Sequence, residues 1–346
     1  MPRHYFDANA TVPPSPEAMA AVAAGMREAW GNPTSTHREG QAARHLLEEA
    51  RRGLAELLGV RPAELVFCSS ATEALHLLVR GLHPALGARP AAAFAGEHSA
   101  CLHPLQDWSR LNWLPEIPEG CATVVQMAAN NETGILYPMP QVAGAVRIKD
   151  CAQAWGKVPV DLADCDAAVF SAHKIGGPRG AALLWMRPGL PWIALMEGPQ
   201  ERRRRGGTED LPAILGMAAA ARLLAERLAA NSALAPVRDG FEAEVLGWNL
   251  GVQVIGHDQP RLPNTSCLLF PGRLGEDLHM ALDLDGFAVS TGSACHSGAT
   301  KPSHAVMTLG YSEAEARSAL RISMLPGTAE EEVQALSAAL RRILAK

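Results

Sequence analysis

The stretch 166–174, DAAVFSAHK, contains the two features that decide the fold. Its first part, Asp166 to Phe170, is apolar enough to form a strand buried on both faces, and the polar residues Ser171 to Lys174 follow at once. The same order, a short apolar strand and then small or polar residues, recurs at Leu65 to Cys68 and at Ala122 to Met127. Such strands alternating with helical segments predict an α/β fold with a mostly parallel sheet.

The residues that follow these strands form a set with a common chemical use. In parallel sheets a ligand binds beyond the carboxyl ends of the strands. Hydroxyls at a helix start bind phosphate, an aspartate keeps a pyridine nitrogen protonated, and a lysine amine forms a Schiff base. These three properties together match pyridoxal 5′-phosphate (PLP), and the candidate residues are Ser70, Thr72, Asn130, Asn131, Asp150, Ser171, His173 and Lys174.

Composition excludes several classes of protein. The 346 residues are 48% hydrophobic and carry a formal net charge of -5, so there is no overall positive field for nucleic acid. The N-terminus lacks the apolar stretch of a signal peptide, and no run is long enough for a membrane helix. We therefore expect a cytoplasmic protein with neither a nucleic-acid nor a membrane partner.

The numbers of cysteines and lysines limit the kinds of site that the chain can contain. The seven cysteines form an odd set without a C-x-x-C pair, which argues against a disulfide framework and against a metal site. Only five of the 31 basic residues are lysines. A lysine kept in a chain that prefers arginine favours a role that guanidinium cannot perform, such as that of a nucleophilic amine.

The chain is predicted to divide into two domains. Residues 16–225 are expected to form a large cofactor-binding domain, and residues 1–15 with 226–346 a smaller α+β domain. A long Ala/Leu-rich helix is predicted over residues 211–230. The last helix is predicted over residues 329–344, with Thr328 as its N-cap.

Eleven sequence blocks, in order along nearly the whole chain, resemble the cysteine desulfurases of the NifS/IscS kind, which are class V aminotransferases of PLP fold type I. They are YFDANAT at Tyr5, GNPTSTHREGQAA at Gly31, VFCSSATEA at Val66, GEHSA at Gly96, NNETG at Asn130, DCAQAWGK at Asp150, SAHKIGGPRG at Ser171, QERRRRGGTED at Gln200, LPNTS at Leu262, STGSACHSG at Ser290 and SALRIS at Ser318. The chain is shorter than members of this family, chiefly between His98 and Asp150.

The resemblance implies a large domain with a mostly parallel sheet between helices, PLP as cofactor, and a role for each matching residue. Lys174 would be the Schiff-base lysine, Asp150 the partner of the pyridinium nitrogen, and His98 the imidazole stacked on the ring. Gln153 would approach the ring oxygen, and Asn131 would also lie at the cofactor. The phosphate would be held by Ala71, Thr72, Ser171, His173 and, from the neighbouring subunit of a homodimer, Thr208.

The resemblance also implies the reaction. Arg321, helped by Asn32 and Asn131, would hold the carboxylate of L-cysteine, and Cys295 would be the nucleophile. The products would be L-alanine and a Cys295 persulfide, whose sulfur passes to a protein acceptor for iron-sulfur clusters or a thiolated cofactor or tRNA. Gly and Ser residues on both sides of Cys295 predict a mobile loop.

Other functions remain as alternatives. A nicotinamide enzyme is disfavoured because no G-x-G-x-x-G motif follows a strand. Another class V enzyme, either an aminotransferase or a selenocysteine lyase, is disfavoured by the cysteine-containing block at Ser290. A desulfurase-like scaffold without activity, which would only bind sulfur-transfer partners, is disfavoured because every catalytic position that the resemblance implies is filled.

Overall fold

The structure is a computed structural model that describes residues 3–108, 110–291 and 302–345. Its strands are β1 (His4–Tyr5), β2 (Leu65–Cys68), β3 (Ala91–Ala93), β4 (Leu111–Trp113), β5 (Thr123–Met127), β6 (Val146–Asp150), β7 (Ala167–Ser171), β8 (Ala182–Met186), β9 (Gln253–Val254), β10 (Thr265–Leu269), β11 (Phe287–Ala288) and β12 (Ala319–Ser323). Its helices are α1 (Pro16–Glu28), α2 (Arg38–Leu58), α3 (Ala71–Leu86), α4 (Ser99–Leu105), α5 (Leu211–Ala221), α6 (Leu224–Ser232), α7 (Leu234–Leu246), α8 (Gly275–Leu284), α9 (His304–Thr308), α10 (Glu313–Arg317) and α11 (Glu330–Leu344).

The chain separates into two compact units. The larger unit comprises Val12–Ala128 and Pro138–Ala225. The smaller unit comprises the chain up to Thr11, the segment Ala129–Tyr137 and the described residues from Glu226 onward. We predicted one domain over residues 16–225 and another over residues 1–15 with 226–346. That division placed the segment Ala129–Tyr137 in the large domain, whereas here it belongs to the smaller unit. The domain assignment itself stays a prediction.

A seven-stranded sheet forms the centre of the larger unit, in the order β2-β8-β7-β6-β5-β3-β4. The strands from β7 to β4 pair in parallel, and β8 pairs antiparallel with both β7 and β2. The predicted mostly parallel sheet is thus confirmed. Since β2 and β7 are both antiparallel to β8, β2 runs in the same direction as the parallel strands.

Hydrophobic clusters cover both faces of this sheet. Along β7 and β8, Phe170 and Leu183 belong to the cluster that packs against α1, α2 and α5. Val169 and Leu184, their neighbours in the chain, belong to the cluster under α3 and α4. Successive side chains of a strand point to opposite faces. Strands buried on both faces therefore have to be apolar throughout, which is the pattern seen in the sequence.

Polar residues start the helices that flank the sheet. Ser15 caps α1, where its Oγ accepts a hydrogen bond from the Ala18 N–H, and Ser70 caps α3 in the same way through the Glu73 N–H. Gly59, with a φ of 67°, ends α2 in the left-handed conformation that glycine adopts without steric cost. The Ser70 cap fixes the first turn of α3 just beyond the carboxyl end of β2.

Two helix predictions are wrong in detail. The helix predicted over residues 211–230 is two helices, α5 and α6, because the Leu223 N–H bonds to the Ala220 carbonyl and tightens the chain there. No glycine or proline marks this break in the sequence. Thr328 is not the N-cap of α11, a position that Ala329 holds; the Thr328 hydroxyl donates to the Leu325 carbonyl at 2.8 Å.

The smaller unit is built on an antiparallel sheet in the order β12-β10-β9, with β1 and β11 paired in parallel beside it. Its core contains Phe6, Phe241, Phe270 and Leu320 together with apolar residues of α8 and α11. Among the residues described, no helix is both long and apolar enough to cross a membrane.

Candidate active site

The carboxyl ends of β2, β3, β6 and β7 lie along one edge of the large sheet, because these strands run in the same direction. Ser70 follows β2, His98 lies five residues beyond β3, Asp150 ends β6, and Ser171 ends β7. The 3₁₀ turn Ala172–Lys174 comes directly after β7. The structure therefore brings Ser70, His98, Asp150 and the turn with Lys174 to one edge of the sheet.

Asp150 is the buried acid of this edge, with 7% of its surface exposed. Its Oδ1 accepts a hydrogen bond from the Ala152 N–H at 2.9 Å. Burial raises the pKa of Asp150, whereas the Ala152 N–H and the nearby His98 and Lys174 lower it. A buried carboxyl in this position is stabilised as the anion by a cationic N–H partner, which is what a protonated pyridine ring offers.

His98 is held by the start of α4. It is the N-cap residue, and its Nδ1 accepts a hydrogen bond from the Ala100 N–H at 3.1 Å. A ring nitrogen that accepts carries no proton, so the neutral ring carries its proton on Nε2. The cap thereby fixes both the place and the tautomer of the imidazole predicted to stack on the cofactor.

Glu97 is a buried carboxyl that the sequence analysis did not assign. The Met127 N–H donates to Glu97 Oε1, and Met127 is the strand neighbour of Asp150 across β5 and β6. Burial raises the pKa of Glu97 well above its usual range, and the charge of Asp150 raises it further. The surroundings therefore favour a protonated Glu97, which avoids a second negative charge beside Asp150. Its one signal in the sequence was its place next to His98.

The turn that carries Lys174 is tied to its surroundings by the main chain. The Val12 N–H donates to the His173 carbonyl at 3.0 Å, and the Gly177 N–H donates to the Ala172 carbonyl at 2.9 Å. A Cβ atom on Gly177 would lie 2.9 Å from both the Cβ and the oxygen of Ala172, so the turn requires glycine there. These contacts hold the main chain of Lys174 in one position.

His173 is an uncharged imidazole at neutral pH. Burial, together with Lys174, Arg179 and Lys157, lowers the pKa of His173 to about 4. A neutral ring binds a phosphate oxygen through one N–H group and adds no charge. This is compatible with the phosphate contact predicted for His173.

Gln153 is oriented by a lysine that the sequence analysis left unassigned. The buried Lys157 donates from Nζ to Gln153 Oε1 at 2.6 Å. Since Oε1 accepts from an ammonium group, the Nε2 donor is the group that Gln153 can offer to a ring oxygen. Both residues belong to the DCAQAWGK block, and the small number of lysines in the chain was the signal that could have indicated Lys157.

The start of α3 supplies the predicted phosphate site. Ala71 and Thr72 are the first residues of this 16-residue helix, where main-chain N–H groups have no partner within the helix. Ser171 is buried at the end of β7, whereas Thr208 is exposed in the loop before α5. The side-chain Oδ1 of the exposed Asn32 accepts hydrogen bonds from the N–H and the hydroxyl of Thr34, so the loop itself uses this group.

These donors and acceptors fit the predicted cofactor. The edge of the sheet offers a buried acid for a pyridinium nitrogen, an amide donor for a ring oxygen and a lysine amine for an aldehyde. It also offers the N-terminus of a long helix for a phosphate. In the larger unit, then, the residues Ala71, Thr72, His98, Asp150, Gln153, Ser171, His173 and Lys174 would hold PLP.

Arg321 forms a second cluster, in the smaller unit. It lies in β12 with 4% of its surface exposed. Its Nη1 donates to the main-chain carbonyl of Asn131 at 2.9 Å, and its Nη2 donates to Asp7 Oδ1 at 2.5 Å. The Nε atom is buried and has no hydrogen-bond partner among the described residues. The structure thus joins two of the predicted substrate residues, Arg321 and Asn131, and adds Asp7, which the sequence analysis did not assign although it lies in the YFDANAT block.

Cys295 and its loop residues lie outside the described residues. The described chain reaches that stretch from Ser290, which pairs with Arg321 by two main-chain hydrogen bonds of 2.6 and 3.1 Å. The other six cysteines of the chain are all buried. Burial raises the pKa of each of these thiols, to about 12 for Cys165 and Cys267. None of the six is suited to act as a thiolate at neutral pH.

Comparison with known proteins supports the same chemistry. The aminotransferase class-V family matches residues 4–115 and 105–336. A cysteine desulfurase of Cereibacter sphaeroides is 36% identical and covers 97% of this chain and 94% of its own. An IscS-like cysteine desulfurase of Mycobacterium tuberculosis is 34% identical, over 96% of this chain and 93% of its own.

A solved structure of a NifS-like protein is 30% identical, covers 99% of both chains and superposes with a TM-score of 0.90. This likeness confirms the predicted type I fold of PLP enzymes. Cysteine desulfurases and other class V aminotransferases depend on PLP, the cofactor that the residues at the sheet edge fit. The chain belongs to the cysteine desulfurases of the class V aminotransferase family.

Proposed function

We propose that this enzyme converts L-cysteine to L-alanine and transfers the sulfur atom to Cys295 as a persulfide. The observation that supports this most directly is the geometry at one edge of the sheet: the buried Asp150 ends β6, His98 caps α4 beyond β3, and the turn with Lys174 follows β7. When bound there, PLP supplies an electron sink for the substrate's α-carbon.

The chain's own residues supply the remaining steps. Arg321 binds the substrate carboxylate and so orients the molecule. The Lys174 amine accepts the α-proton and later returns a proton to the substrate, while Asp150 remains ionised. The Cys295 thiolate then attacks the substrate sulfur: an S–S bond forms, the C–S bond breaks, and its carbon takes up a proton. The thiol of Cys295 and cysteine together thus become a persulfide and alanine, with no external oxidant.

We further propose that the enzyme acts as a homodimer and hands its sulfur to an acceptor protein. The loop with Thr208 resembles the one that completes the phosphate site across the subunit interface in this family, and Thr208 is exposed in the larger unit. A symmetric dimer is also the commonest form of a soluble oligomer. Light scattering should give twice the chain mass; a monomer that keeps full cofactor occupancy at low concentration would contradict the dimer.

The central experiment combines L-cysteine with the purified PLP enzyme and measures alanine and sulfide. Cys295→Ser should keep the cofactor and still bind L-cysteine, yet release almost no alanine, because a serine hydroxyl is not ionised and does not attack sulfur. Cys121→Ser is the matched control: its thiol donates to the Thr123 carbonyl, a bond that a hydroxyl can also form. Alanine release by Cys295→Ser at the wild-type rate would exclude the persulfide step.

Two further measurements test the cofactor residues. Borohydride reduction followed by peptide mapping should place the pyridoxyl group on Lys174 and not on the buried Lys149 or Lys157. Asp150→Asn should preserve the fold and lower the rate by about 10² to 10⁴, in line with the loss of other preorganised charges. Turnover near the wild-type rate in this variant would show that another acid serves the ring nitrogen.

A further inference from the structure

We infer that Asp7 is a positioning residue for substrate recognition: together with the Asn131 carbonyl, it fixes the Arg321 guanidinium so that the remaining N–H donors receive the carboxylate of the substrate. This inference rests on the proposed function, since it assumes that Arg321 binds that carboxylate. It adds a residue whose side chain need not contact the substrate.

The first argument is the pattern of donors on Arg321. A guanidinium has five N–H donors in one plane. In Arg321 one donor of Nη1 and one of Nη2 have fixed acceptors, whereas Nε is buried and has no hydrogen-bond partner in the part of the chain that the structure describes. Buried polar groups almost always have partners, so an unpartnered arginine donor indicates a ligand atom at that place. A carboxylate is the group that best accepts from neighbouring N–H donors of an arginine.

The second argument is that the two acceptors are themselves held in place. Asp7 pairs with Ser323 of β12: the Ala8 N–H donates to the Ser323 carbonyl at 3.0 Å, and the Ser323 N–H donates to the Phe6 carbonyl at 2.8 Å. These bonds attach the Asp7 segment to β12, the strand in which Arg321 lies two residues before Ser323. The main chain that carries the Asp7 carboxylate cannot move far without breaking this pairing.

The other acceptor is anchored in a similar way. The Asn9 Nδ2 donates to the Asn131 carbonyl at 3.2 Å and to Thr265 Oγ1 at 2.9 Å. The Asn9 N–H donates to the hydroxyl of Ser323 at 3.0 Å. Two fixed acceptors at Nη1 and Nη2 prevent the guanidinium from rotating about its Cδ–Nε bond. The direction of the Nε–H donor is therefore set before the substrate arrives, which reduces the entropy lost on binding.

Asp7 acts through the position of its acceptor oxygen more than through its charge. Its side chain is 22% exposed and that of Arg321 is 5% exposed, so solvent partly screens the carboxylate of Asp7. A substrate carboxylate would in addition be repelled by a negative charge at Asp7. If position is what matters, an asparagine that keeps the oxygen should preserve binding, and an alanine should not.

The test compares Asp7→Ala and Asp7→Asn in the PLP-loaded enzyme, with steady-state kinetics on L-cysteine. Asp7→Ala should raise KM by about 10-fold or more with kcat within about 3-fold of wild type, because ground-state and transition-state binding lose the same contact. Asp7→Asn should keep both constants within about 3-fold of wild type. Asp285→Ala, which removes another Asp–Arg ion pair from the smaller unit, is the control and should change neither.

Cysteamine, which is cysteine without its carboxylate, separates positioning from general damage. Its dissociation constant, measured from the visible absorbance of the enzyme, should be the same in Asp7→Ala and wild type. An unchanged KM for L-cysteine in Asp7→Ala, or an equal rise in Asp7→Asn, would overturn the inference. An equal loss of cysteamine binding would overturn it as well.

Arg321→Ala distinguishes this inference from the proposed substrate site. If Arg321→Ala leaves the KM for L-cysteine unchanged, the assignment of the carboxylate site is wrong, and the inference about Asp7 is wrong with it. If Arg321→Ala raises KM and Asp7→Ala does not, the substrate site stands and Asp7 has no positioning role.

Discussion

Arg51 in the larger unit and Arg321 in the smaller unit are both buried against a carboxylate, yet their hydrogen bonding differs. Arg51 donates to both oxygens of Glu201, at 2.8 and 2.6 Å, and also to Glu48 and to the Leu65 carbonyl. Arg321 binds one carboxylate oxygen and one carbonyl, and within residues 3–108, 110–291 and 302–345 its Nε has no hydrogen-bond partner. A pair with every group satisfied supports the architecture, whereas an incomplete one indicates a place for a ligand.

The Arg51–Glu201 pair also holds a strained loop. Glu201, Arg202 and Arg203 have φ values of 47°, 58° and 65°, the left-handed region that residues with a Cβ seldom adopt. Each such residue costs about 1–2 kcal/mol. Glu201 accepts hydrogen bonds from Arg51 and also from the Phe67 N–H, the latter at 2.8 Å. These bonds offset the strain. The loop that they hold leads to Thr208.

Breaking the satisfied pair should give the largest effect. Glu201→Ala would leave Arg51 as a buried charge without its main partner, and we expect a loss of about 3–5 kcal/mol in the free energy of unfolding. Urea denaturation monitored by circular dichroism measures this loss. Glu201→Gln, which keeps one acceptor, should lose less. A loss under about 1 kcal/mol in Glu201→Ala would mean that the pair does not stabilise the unit.

Breaking the incomplete pair should affect activity more than stability. Arg321→Ala should lower kcat/KM for L-cysteine by about 10²-fold, or about 2.7 kcal/mol. The free energy of unfolding should fall by less than in Glu201→Ala, because Asp7 is partly exposed and can be hydrated. Kinetics and urea denaturation on the same preparation test both statements. The reverse ranking would show that Arg321 serves the architecture.

Glu97 extends the comparison of buried charges, because the charged neighbour of this buried carboxyl is another acid, Asp150. Its raised pKa means that the folded protein binds a proton more tightly than the unfolded chain does. Stability should therefore fall as the pH rises from the ordinary value of 4.5 toward the raised pKa, by at most about 1.4 kcal/mol per pH unit.

Glu97→Gln should flatten this dependence in the cofactor-free protein, as measured by melting temperature against pH. Asp150, whose pKa is also raised, keeps its own contribution in that variant and serves as the internal reference. Equal slopes in the variant and the wild type would indicate an ionised Glu97 in the folded protein.

An exposed ion pair should give the smallest effect. Arg342 and Asp285 lie 2.8 Å apart with 58% and 34% of their side chains exposed. Asp285→Ala should change the free energy of unfolding by less than about 1 kcal/mol, and less still in high salt. A larger change would mean that geometry, and not burial, explains why the Arg51–Glu201 pair contributes more to the free energy of unfolding than surface pairs do.

Local structure was predictable wherever it depends on near neighbours. The strand Leu65–Cys68 has the predicted limits, and Ser70 starts the next helix as its N-cap. Both follow from apolar burial and from a hydroxyl near an N–H group three residues away. The break between α5 and α6 was missed because alanine and leucine continue through it. Only the main-chain hydrogen bonding changes there, and the residue types do not reveal that change.

The sequence by itself determined the mostly parallel sheet, the family and the residue types at the strand ends, because these depend on periodicity and short motifs. Only the tertiary structure decided which buried charges meet: Asp7 and Arg321 are 314 residues apart, and Glu201 reaches back 150 residues to Arg51. The free energy of such a pair depends on burial and on the other hydrogen bonds around it. Those quantities exist only after distant segments have packed, so no local pattern could indicate them.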